Sequence, residues 1–465
     1  MKKSLLLSLS LLLSLIAAAQ TQKGFVKTLG RPEKKGEALS GVTIRVKGQH
    51  NPVISQADGS FAINMDDKKN GDPYCLQQVQ KKGYEVNETD LIGRKQTFSS
   101  KVPLQIVMAS TEQLNADKAR IEEKAQEVAR KNYSEKIAQL EQQLANSEIS
   151  AEQYQAATME LQEKFEQYQL LIDGLAEHYA HTDYDLLDET EREINLCIEN
   201  GELDKADSLI KTLFNPIDVI RRNKEALASI DEQIAQAQGI LDQAYEDMAA
   251  VLKQQEKDAE YLYQLYTIAL ARFDNDKALF YIETRAELDT TRWEWQFEAG
   301  GYCFNQNLIE KAEIYYERVL DILEETMIDF YENTPDISAA DSSEIVQNLS
   351  FLVMFYTTQT NLATLYQKTQ RIAESEKLYL ESIEYFKDFA QVSPEDEMLR
   401  IPFLGITLSS TMMGLSELYR MSGRISESEA LSQEALNIVR QIKPDGANDE
   451  LVYHAIFTPM YVFGV

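Results

Sequence analysis

The feature that most constrains this chain is a 34-residue repeat of two amphipathic helices. Two blocks of the same design follow each other between Leu262 and Leu323, and aligning Ala278 with Ala312 gives a period of 34 residues. Within each block, apolar and small side chains recur at three- and four-residue spacing in two successive segments, which predicts a helical hairpin. We expect small Gly300 and Ala312 to let the paired backbones approach closely. Such hairpins stack into an array, in which each unit contacts its neighbours.

Weaker copies of the pattern flank this pair and extend the repeat region in both directions. In the place of Ala278 and Ala312 they carry small residues at Ala206, Ser375 and Ser428, and the spacing between copies drifts. We therefore expect lengthened helices or loops between them.

The pattern resembles the tetratricopeptide repeat, whose period is 34 residues and whose small and aromatic residues fall at these places. Two departures stand out: Tyr266 occupies a place where that family has a small residue, and Ser432 occupies a place where it has an aromatic one. The resemblance implies an all-α, tetratricopeptide-like solenoid over residues 183–465, clearest at 259–326, 356–389 and 409–442.

A different pattern precedes the helices. Short runs of apolar and β-branched residues, bounded by Gly, Pro and Asn, predict strands over 24–28, 41–48, 60–65 and 102–108. The dipeptide Asp58-Gly59 predicts a hairpin turn, because glycine supplies a positive φ.

These runs, together with Gly24 and Gly83-Tyr84, resemble the carboxypeptidase regulatory-like domain, a transthyretin-like β-sandwich. The resemblance covers most of residues 23–109 and implies a small, non-catalytic all-β domain. Domains of this family accompany peptidases and stand at the front of outer-membrane nutrient receptors of the Bacteroidetes type.

Residues 111–182 join the two regions and are strongly helical, with little glycine or proline. Ser150 with Gln153 forms a capping-box pattern that starts a new helix. We expect an antiparallel helical hairpin that acts as a spacer. The alternative is one uninterrupted rod, which would associate with a second copy as a coiled coil.

Residues 1–19 have the pattern of a secretory signal peptide: Lys2 and Lys3, an apolar run, and the small residues Ala17–Ala19. No cysteine follows the cleavage site, and no later stretch is apolar enough to span a bilayer. We expect a mature protein that begins near Gln20 and is periplasmic, outer-membrane-associated or secreted.

Charge separates the two regions. The chain has 46 Lys and Arg against 76 Asp and Glu, a net charge of −30. Residues 20–109 hold 14 basic and 9 acidic side chains, whereas residues 110–465 hold 30 basic and 67 acidic ones. The helical region should therefore repel nucleic acid and anionic lipid, and it would attract a basic partner. Most of this charge fits the solvated surface of a long solenoid.

Motifs of catalysis are missing from the sequence. It has no phosphate-binding glycine loop, zinc-protease helix or nucleophile elbow. His178, His181, Asp183 and Asp185 form a cluster suited to a divalent metal, but we favour solvated histidines at a hairpin end. We predict no enzyme activity, no cofactor and no metal. Of the cysteines, Cys197 and Cys303 fall on core stripes and should be buried thiols.

Two functions of different class remain. The first is an interaction scaffold that holds a peptide or helix of a protein partner in the concave groove of its repeats. The second is an accessory subunit of an envelope, secretion or peptidase complex. Helical spacing places these residues on the groove, with the aromatics exposed: Tyr263, Thr267, Phe297, Phe304, Thr360, Thr364, Gln367, Met413, Glu417 and Arg420. The alternative is that neighbouring hairpins or the apolar tail cover the aromatics. The apolar segment 451–465 either covers the last hairpin or docks elsewhere.

Overall fold

The computed structural model of the chain describes residues 21–49, 51–66, 68–87, 91–92, 95–236, 241–333, 342–392 and 402–441. The predicted signal peptide and the apolar segment 451–465 lie outside the described residues. The chain divides into two compact units: Met1–Ile121 with Ala176–Leu196 and Asp336–Gln347, and Glu122–Leu175 with Cys197–Pro335 and Asn348–Val465.

The first unit contains two four-stranded sheets. The strands are β1 (Thr21–Thr28), β2 (Thr43–Val46), β3 (Val53–Ile54), β4 (Ser60–Asn64), β5 (Pro73–Gln80), β6 (Tyr84–Val86), β7 (Lys95–Thr97) and β8 (Leu104–Ser110). The sheet orders are β4-β1-β8-β6 and β3-β2-β5-β7, and β1 is antiparallel to β4 but parallel to β8. Inward residues of both sheets, such as Val26, Ile63, Ile44 and Leu76, share one apolar core. The predicted small β-sandwich is confirmed.

The predicted turn at Asp58-Gly59 forms, but it does not close a hairpin. Gly59 has φ +79° and the Asp58 carboxylate accepts hydrogen bonds from the backbone and hydroxyl of Ser60. However, β3 pairs with β2 and β4 pairs with β1, so the turn carries the chain from one sheet to the other. The hairpin prediction was wrong because a turn dipeptide sets the reversal, not the pairing of the strands that follow.

Helices follow the sheets, thirteen of them among the described residues. They are α1 (Thr111–Ala145), α2 (Ala151–Ala180), α3 (Glu189–Glu199), α4 (Leu203–Leu213), α5 (Val219–Gln236), α6 (Leu241–Ala271), α7 (Asn275–Leu288), α8 (Trp293–Asn305), α9 (Ile309–Asn333), α10 (Ser342–Lys368), α11 (Ile372–Val392), α12 (Pro402–Met421) and α13 (Ile425–Gln441).

Helices α1 and α2 form an antiparallel hairpin. The Tyr133 and Phe165 rings lie 4.9 Å apart across it, and the turn between the helices includes Ser147 at φ +58°. The Ser150 backbone N–H donates to Gln153 Oε1, and the Gln153 N–H donates to Ser150 Oγ, which is the predicted capping box. The alternative of one uninterrupted rod is wrong.

Five later hairpins share one turn. The helix pairs α3/α4, α6/α7, α8/α9, α10/α11 and α12/α13 are each joined by three residues, and the middle residue has a positive φ. These middle residues are Gly201 (φ 77°), Phe273 (55°), Asn307 (58°), Gln370 (63°) and Gly423 (78°). In each turn the next N–H bonds to a carbonyl five residues back, as in Leu308 to Cys303 at 2.8 Å.

The small residues identified from the sequence fall at one fixed place, five residues after the positive-φ residue. Ala206, Ala278, Ala312 and Ser375 have no exposed surface there, and Ser428 is 8% exposed. A Cβ on Gly300 would lie 2.9 Å from the buried Tyr316 ring, so the predicted close approach of α8 and α9 is confirmed. Ser432, which stands where Tyr316 and Tyr379 stand in earlier hairpins, bonds to Ser416 instead.

Candidate functional site

The predicted groove residues lie on the first helices of the hairpins, α6, α8, α10 and α12, at equivalent places before the turn. Five of them are buried: Tyr263, Thr267, Phe297, Phe304 and Thr360. Thr364, Gln367 and Met413 are half-buried, and Glu417 and Arg420 are exposed. The accessible members are therefore found on α10 and α12.

The expectation that the three aromatics are exposed is wrong. Tyr263 is 8% exposed, Phe297 7% and Phe304 5%. The Phe297 ring lies 6.0 Å from the Tyr316 ring of α9. Tyr263 and Phe304 each face a cation from another helix: Arg285 Cζ is 4.9 Å from the first ring and Lys368 Nζ is 4.1 Å from the second.

The second helix of each hairpin thus covers Tyr263 and Phe297, and the following hairpin contributes a side chain over Phe304. Burial of this kind removes large apolar rings from water, which stabilises each ring by roughly 1.5–3 kcal/mol. Partial desolvation also lowers the pKa of the Lys368 ammonium, which lies over the Phe304 ring. These rings are core residues and leave little room for a partner on the first half of the array.

The faces of α10 and α12 are different, because they are rich in hydroxyl groups. Thr364 Oγ1 lies 2.8 Å from the Tyr379 hydroxyl, and Gln367 Nε2 lies 3.1 Å from Met421 Sδ. Thr360 Oγ1 lies 3.0 Å from Thr411 Oγ1, so a pair of hydroxyls joins the two helices.

Two further hydroxyls on these faces are buried without a hydrogen-bond partner among the described residues. They belong to Thr357 and Ser410, which are 7% and 8% exposed. Both residues stand thirteen positions before the positive-φ residue of their hairpin, Gln370 and Gly423, so they are equivalent. The sequence analysis missed both, although the polar runs TTQTN and TLSST within apolar helices are a signal for them.

Helical spacing places each hydroxyl beside accessible groove residues. Thr357 and Thr364 are seven residues apart, which is two turns, and Ser410 and Met413 are three apart. The two faces therefore combine hydrogen-bonding groups with one flexible apolar side chain, and such a surface can bind the backbone of a polypeptide.

A charged cavity of about 620 Å³ lies elsewhere in the second unit, between the α1/α2 hairpin and the turn after α6. Its charges are largely paired: Lys164 with Glu160 at 2.7 Å, Arg272 with Asp207 at 3.2 Å, and Asp274 with Lys277 at 2.5 Å. This pairing leaves little net charge with which to select a ligand.

In the first unit, two carboxylates that follow α2, those of Asp183 and Asp185, bind the end of β1 and the loop after it. Lys27 Nζ lies 2.9 Å from Asp183 Oδ2 and 2.8 Å from Asp185 Oδ2. Asp183 also accepts from the Gly30 N–H, and Asp185 accepts from the Gly36 N–H. These carboxylates are occupied as anchors of β1 and its following loop.

The charges of this anchor stabilise one another. Burial alone would lower the pKa of Lys27 and raise that of Asp185, but the hydrogen bonds and charges between them outweigh burial. The pKa of Lys27 is therefore raised above 10.5, and the pKa of Asp185 is lowered below 3.8.

The histidines of the cluster also have protein partners. His181 Nδ1 lies 3.1 Å from Asn87 Oδ1 and Nε2 lies 3.0 Å from Glu177 Oε1, and the His178 ring packs against Tyr179. Our expectation that the histidines are solvated is wrong, because both are half-buried in these contacts. Within the described part of the chain, no group of three or more His, Cys, Asp or Glu side chains could hold a metal ion.

Two further observations concern the cysteines and the length and polarity of the helices. Cys197 and Cys303 are buried thiols that form no disulfide within the described ranges, as predicted, and burial raises the pKa of Cys303 to about 12. None of the helices in the described ranges is both long and apolar enough to cross a membrane.

Comparison with known families bears on the same two helices. Residues 357–387 match the tetratricopeptide repeat family. The match begins at Thr357 on α10 and ends within α11, so it covers the last part of α10, the turn and most of α11. Comparison with curated proteins finds no matching sequence. Repeats of this family suggest an interaction scaffold for protein partners and are generally non-enzymatic.

Proposed function

We propose that this protein is a non-catalytic interaction scaffold, and that it binds an extended segment of a partner on the faces of α10 and α12. The observation that carries the proposal is a pair of buried hydroxyls at equivalent positions, those of Thr357 and Ser410, for which the described ranges supply no hydrogen-bond partner. A buried hydroxyl without a partner costs about 1–3 kcal/mol. The backbone of an extended peptide offers donors and acceptors at regular intervals, which is the chemistry that both hydroxyls lack.

The remaining residues of these faces suit the same ligand. Gln367 is half-buried and carries both a donor and an acceptor, and Met413 can adapt to an apolar side chain. The exposed Glu417 lies seven residues after Ser410, on the same side of α12.

We further propose that the partner segment is basic. The 67 acidic against 30 basic residues of positions 110–465 support this, because a field of this sign attracts cations and speeds their association.

Export of the protein is part of the proposal. The pattern of residues 1–19 supports it, with Lys2 and Lys3 before the apolar run and Ala17–Ala19 after it. Sequencing the amino terminus of the protein from its native cells tests this. A start near Gln20 supports export, and an intact Met1 contradicts it.

A random linear peptide library, selected on the full-length chain, tests the binding site without knowledge of the partner. Selected peptides should be enriched in Lys and Arg. Thr357→Val with Ser410→Ala should weaken their binding by at least about tenfold, since each substitution removes a hydrogen bond to the ligand. The stability of the free variant should not fall, because neither hydroxyl has a hydrogen bond to lose within the part of the chain that the structure describes.

Thr358→Val is the matched control. This neighbouring threonine is buried too, but its hydroxyl already donates to the Met354 carbonyl at 2.7 Å. It should lose a little stability and keep peptide binding. Equal binding by the double variant and the control would contradict the proposed site.

A further inference from the structure

An arginine joins the α8/α9 hairpin to the α10/α11 hairpin. Arg371 is the last residue of the turn before α11. It donates to Glu374 in the first turn of α11 at 2.8 Å and to Glu313 of α9 at 2.5 Å. Its guanidinium carbon lies 3.6 Å from the Tyr366 ring centroid. The hydrogen bonds of Glu374 and Glu313 raise the pKa of Arg371 above its ordinary value.

The next junction repeats this arrangement. Arg424 donates to Glu427 at 2.9 Å and to Glu376 of α11 at 2.6 Å, and its guanidinium carbon lies 3.6 Å from the Tyr419 ring centroid. We call this set of contacts the arginine clip. It connects a carboxylate on the second helix of one hairpin to the turn of the hairpin that follows.

The last described hairpin carries the acceptor half of a further clip. Glu313, Glu376 and Glu429 each stand six residues after the positive-φ residue of their turn. The first two are half-buried and bound by arginine, whereas Glu429 is exposed and has no ion-pair partner among the described residues.

Apolar positions on α13 are uncovered as well. Leu436 stands thirteen residues after Gly423 and is 46% exposed, but its equivalents Ala286 and Ile383 are 0% and 6% exposed, and a third, Leu320, is half-buried. Ile425 at the start of α13 is 50% exposed. A single exposed apolar residue is ordinary on a protein surface, but Leu436 is exposed at a place that earlier hairpins cover, on the same side of α13 as Glu429.

We propose that this end face of α13, defined by Ile425, Glu429 and Leu436, binds a helix of a partner protein. That helix is apolar on one side and presents an arginine to Glu429. The two earlier junctions support this occupant, since in both of them an arginine stacked on a ring binds the equivalent carboxylate. Residues 442–465 contain no arginine, so they cannot complete the clip.

This surface is separate from the faces of α10 and α12, and the inference does not depend on the proposed function. Loss of peptide binding in the Thr357 and Ser410 variant would leave it standing. The experiment that tests this inference must therefore detect contacts of a partner with α13.

Photo-crosslinking from position 436 of the full-length chain, in the cells that produce it, provides this test. Benzoylphenylalanine at Leu436 should give a crosslink to another protein, mapped by mass spectrometry to a segment that contains an arginine. Glu429→Arg should lower the yield at least about fivefold, because it places like charges together. Changing the mapped arginine to glutamate should restore the crosslink in the Glu429→Arg background.

Glu384→Arg is the matched control, since Glu384 is an exposed glutamate on α11, away from the end face. It should leave the yield unchanged. Crosslinks to residues 442–465 of the same chain, crosslinks to a second copy of the chain, a yield that Glu429→Arg does not change, or no crosslink at all would each overturn the inference.

Discussion

Two adjacent glycines in α8 should respond oppositely to the same substitution. A Cβ on Gly300 would lie 2.9 Å from two Tyr316 ring atoms and 3.2 Å from Tyr315 Cβ, whereas a Cβ on Gly301 would meet nothing closer than the Tyr316 hydroxyl at 4.0 Å. Tyr316 has no exposed surface, so its ring cannot move aside without displacing its neighbours. Replacing Gly300 with Ala therefore overpacks the junction of α8 and α9, and replacing Gly301 does not.

The expected change in the free energy of unfolding is the sum of two effects. Gly to Ala inside a helix stabilises by about 1 kcal/mol. Overpacking a tight core costs about 1–3 kcal/mol. Gly301→Ala should gain about 1 kcal/mol, and Gly300→Ala should lose up to about 2 kcal/mol. The difference between the variants, about 1–3 kcal/mol, isolates the steric cost.

Urea unfolding of the full-length variants, followed by circular dichroism at 222 nm, measures this difference. The unfolding midpoint should rise for Gly301→Ala and fall, or stay near that of the parent, for Gly300→Ala. If Gly300→Ala is as stable as Gly301→Ala, the close approach of α8 and α9 is refuted.

Three further predictions concern the anchor and the turns. Lys27→Met should destabilise the first unit by about 3 kcal/mol, because it leaves two carboxylates without their cation, and faster amide exchange in β1 would show it. The pKa of Asp185 lies below 3.8 in the folded protein, so the stability that this carboxylate contributes is present above that pH and is lost as pH falls through the folded pKa. Thermal melts between pH 2 and 5 should show the loss, and a melting temperature that does not change over this range would contradict it. Phe273→Gly should cost about 2–4 kcal/mol of stability, since the loss of ring packing outweighs the relief of a positive φ. Gln370→Gly should stabilise by about 1 kcal/mol, because it only relieves the positive φ. Equal melting temperatures of the two variants would disprove this.

Local patterns in the sequence were sufficient for much of the fold. The positions of the five small residues could be predicted from the spacing within one hairpin, and each occupies the predicted place: Ala206, Ala278, Ala312, Ser375 and Ser428. The capping box at Ser150 is set by neighbours three residues apart, so it too could be read directly.

What failed depends on residues distant in sequence. Lys368 of another hairpin lies over the Phe304 ring, and no spacing within α8 reveals that contact. The turn requires a positive φ at Phe273, and a bulky residue is accommodated there because Phe165 and Tyr168 pack against its ring, both with centroids at 6.3 Å. Strand β5 escaped prediction because its Gln-rich sequence alternates only weakly.

The candidate site was predicted in part for the same reason. Thr364 and Gln367 follow from helix periodicity. Thr357 and Ser410 do not, since a hydroxyl is usually satisfied by a carbonyl of its own helix, and only the structure shows that these two are not.

Hydrogen–deuterium exchange of the full-length chain, with and without a selected basic peptide, tests the central claim most directly. The peptide should slow exchange in residues 357–367 and 410–420, and leave residues 309–323 of α9 unchanged. Protection confined to α9, or to the β-domain, would contradict binding on the faces of α10 and α12.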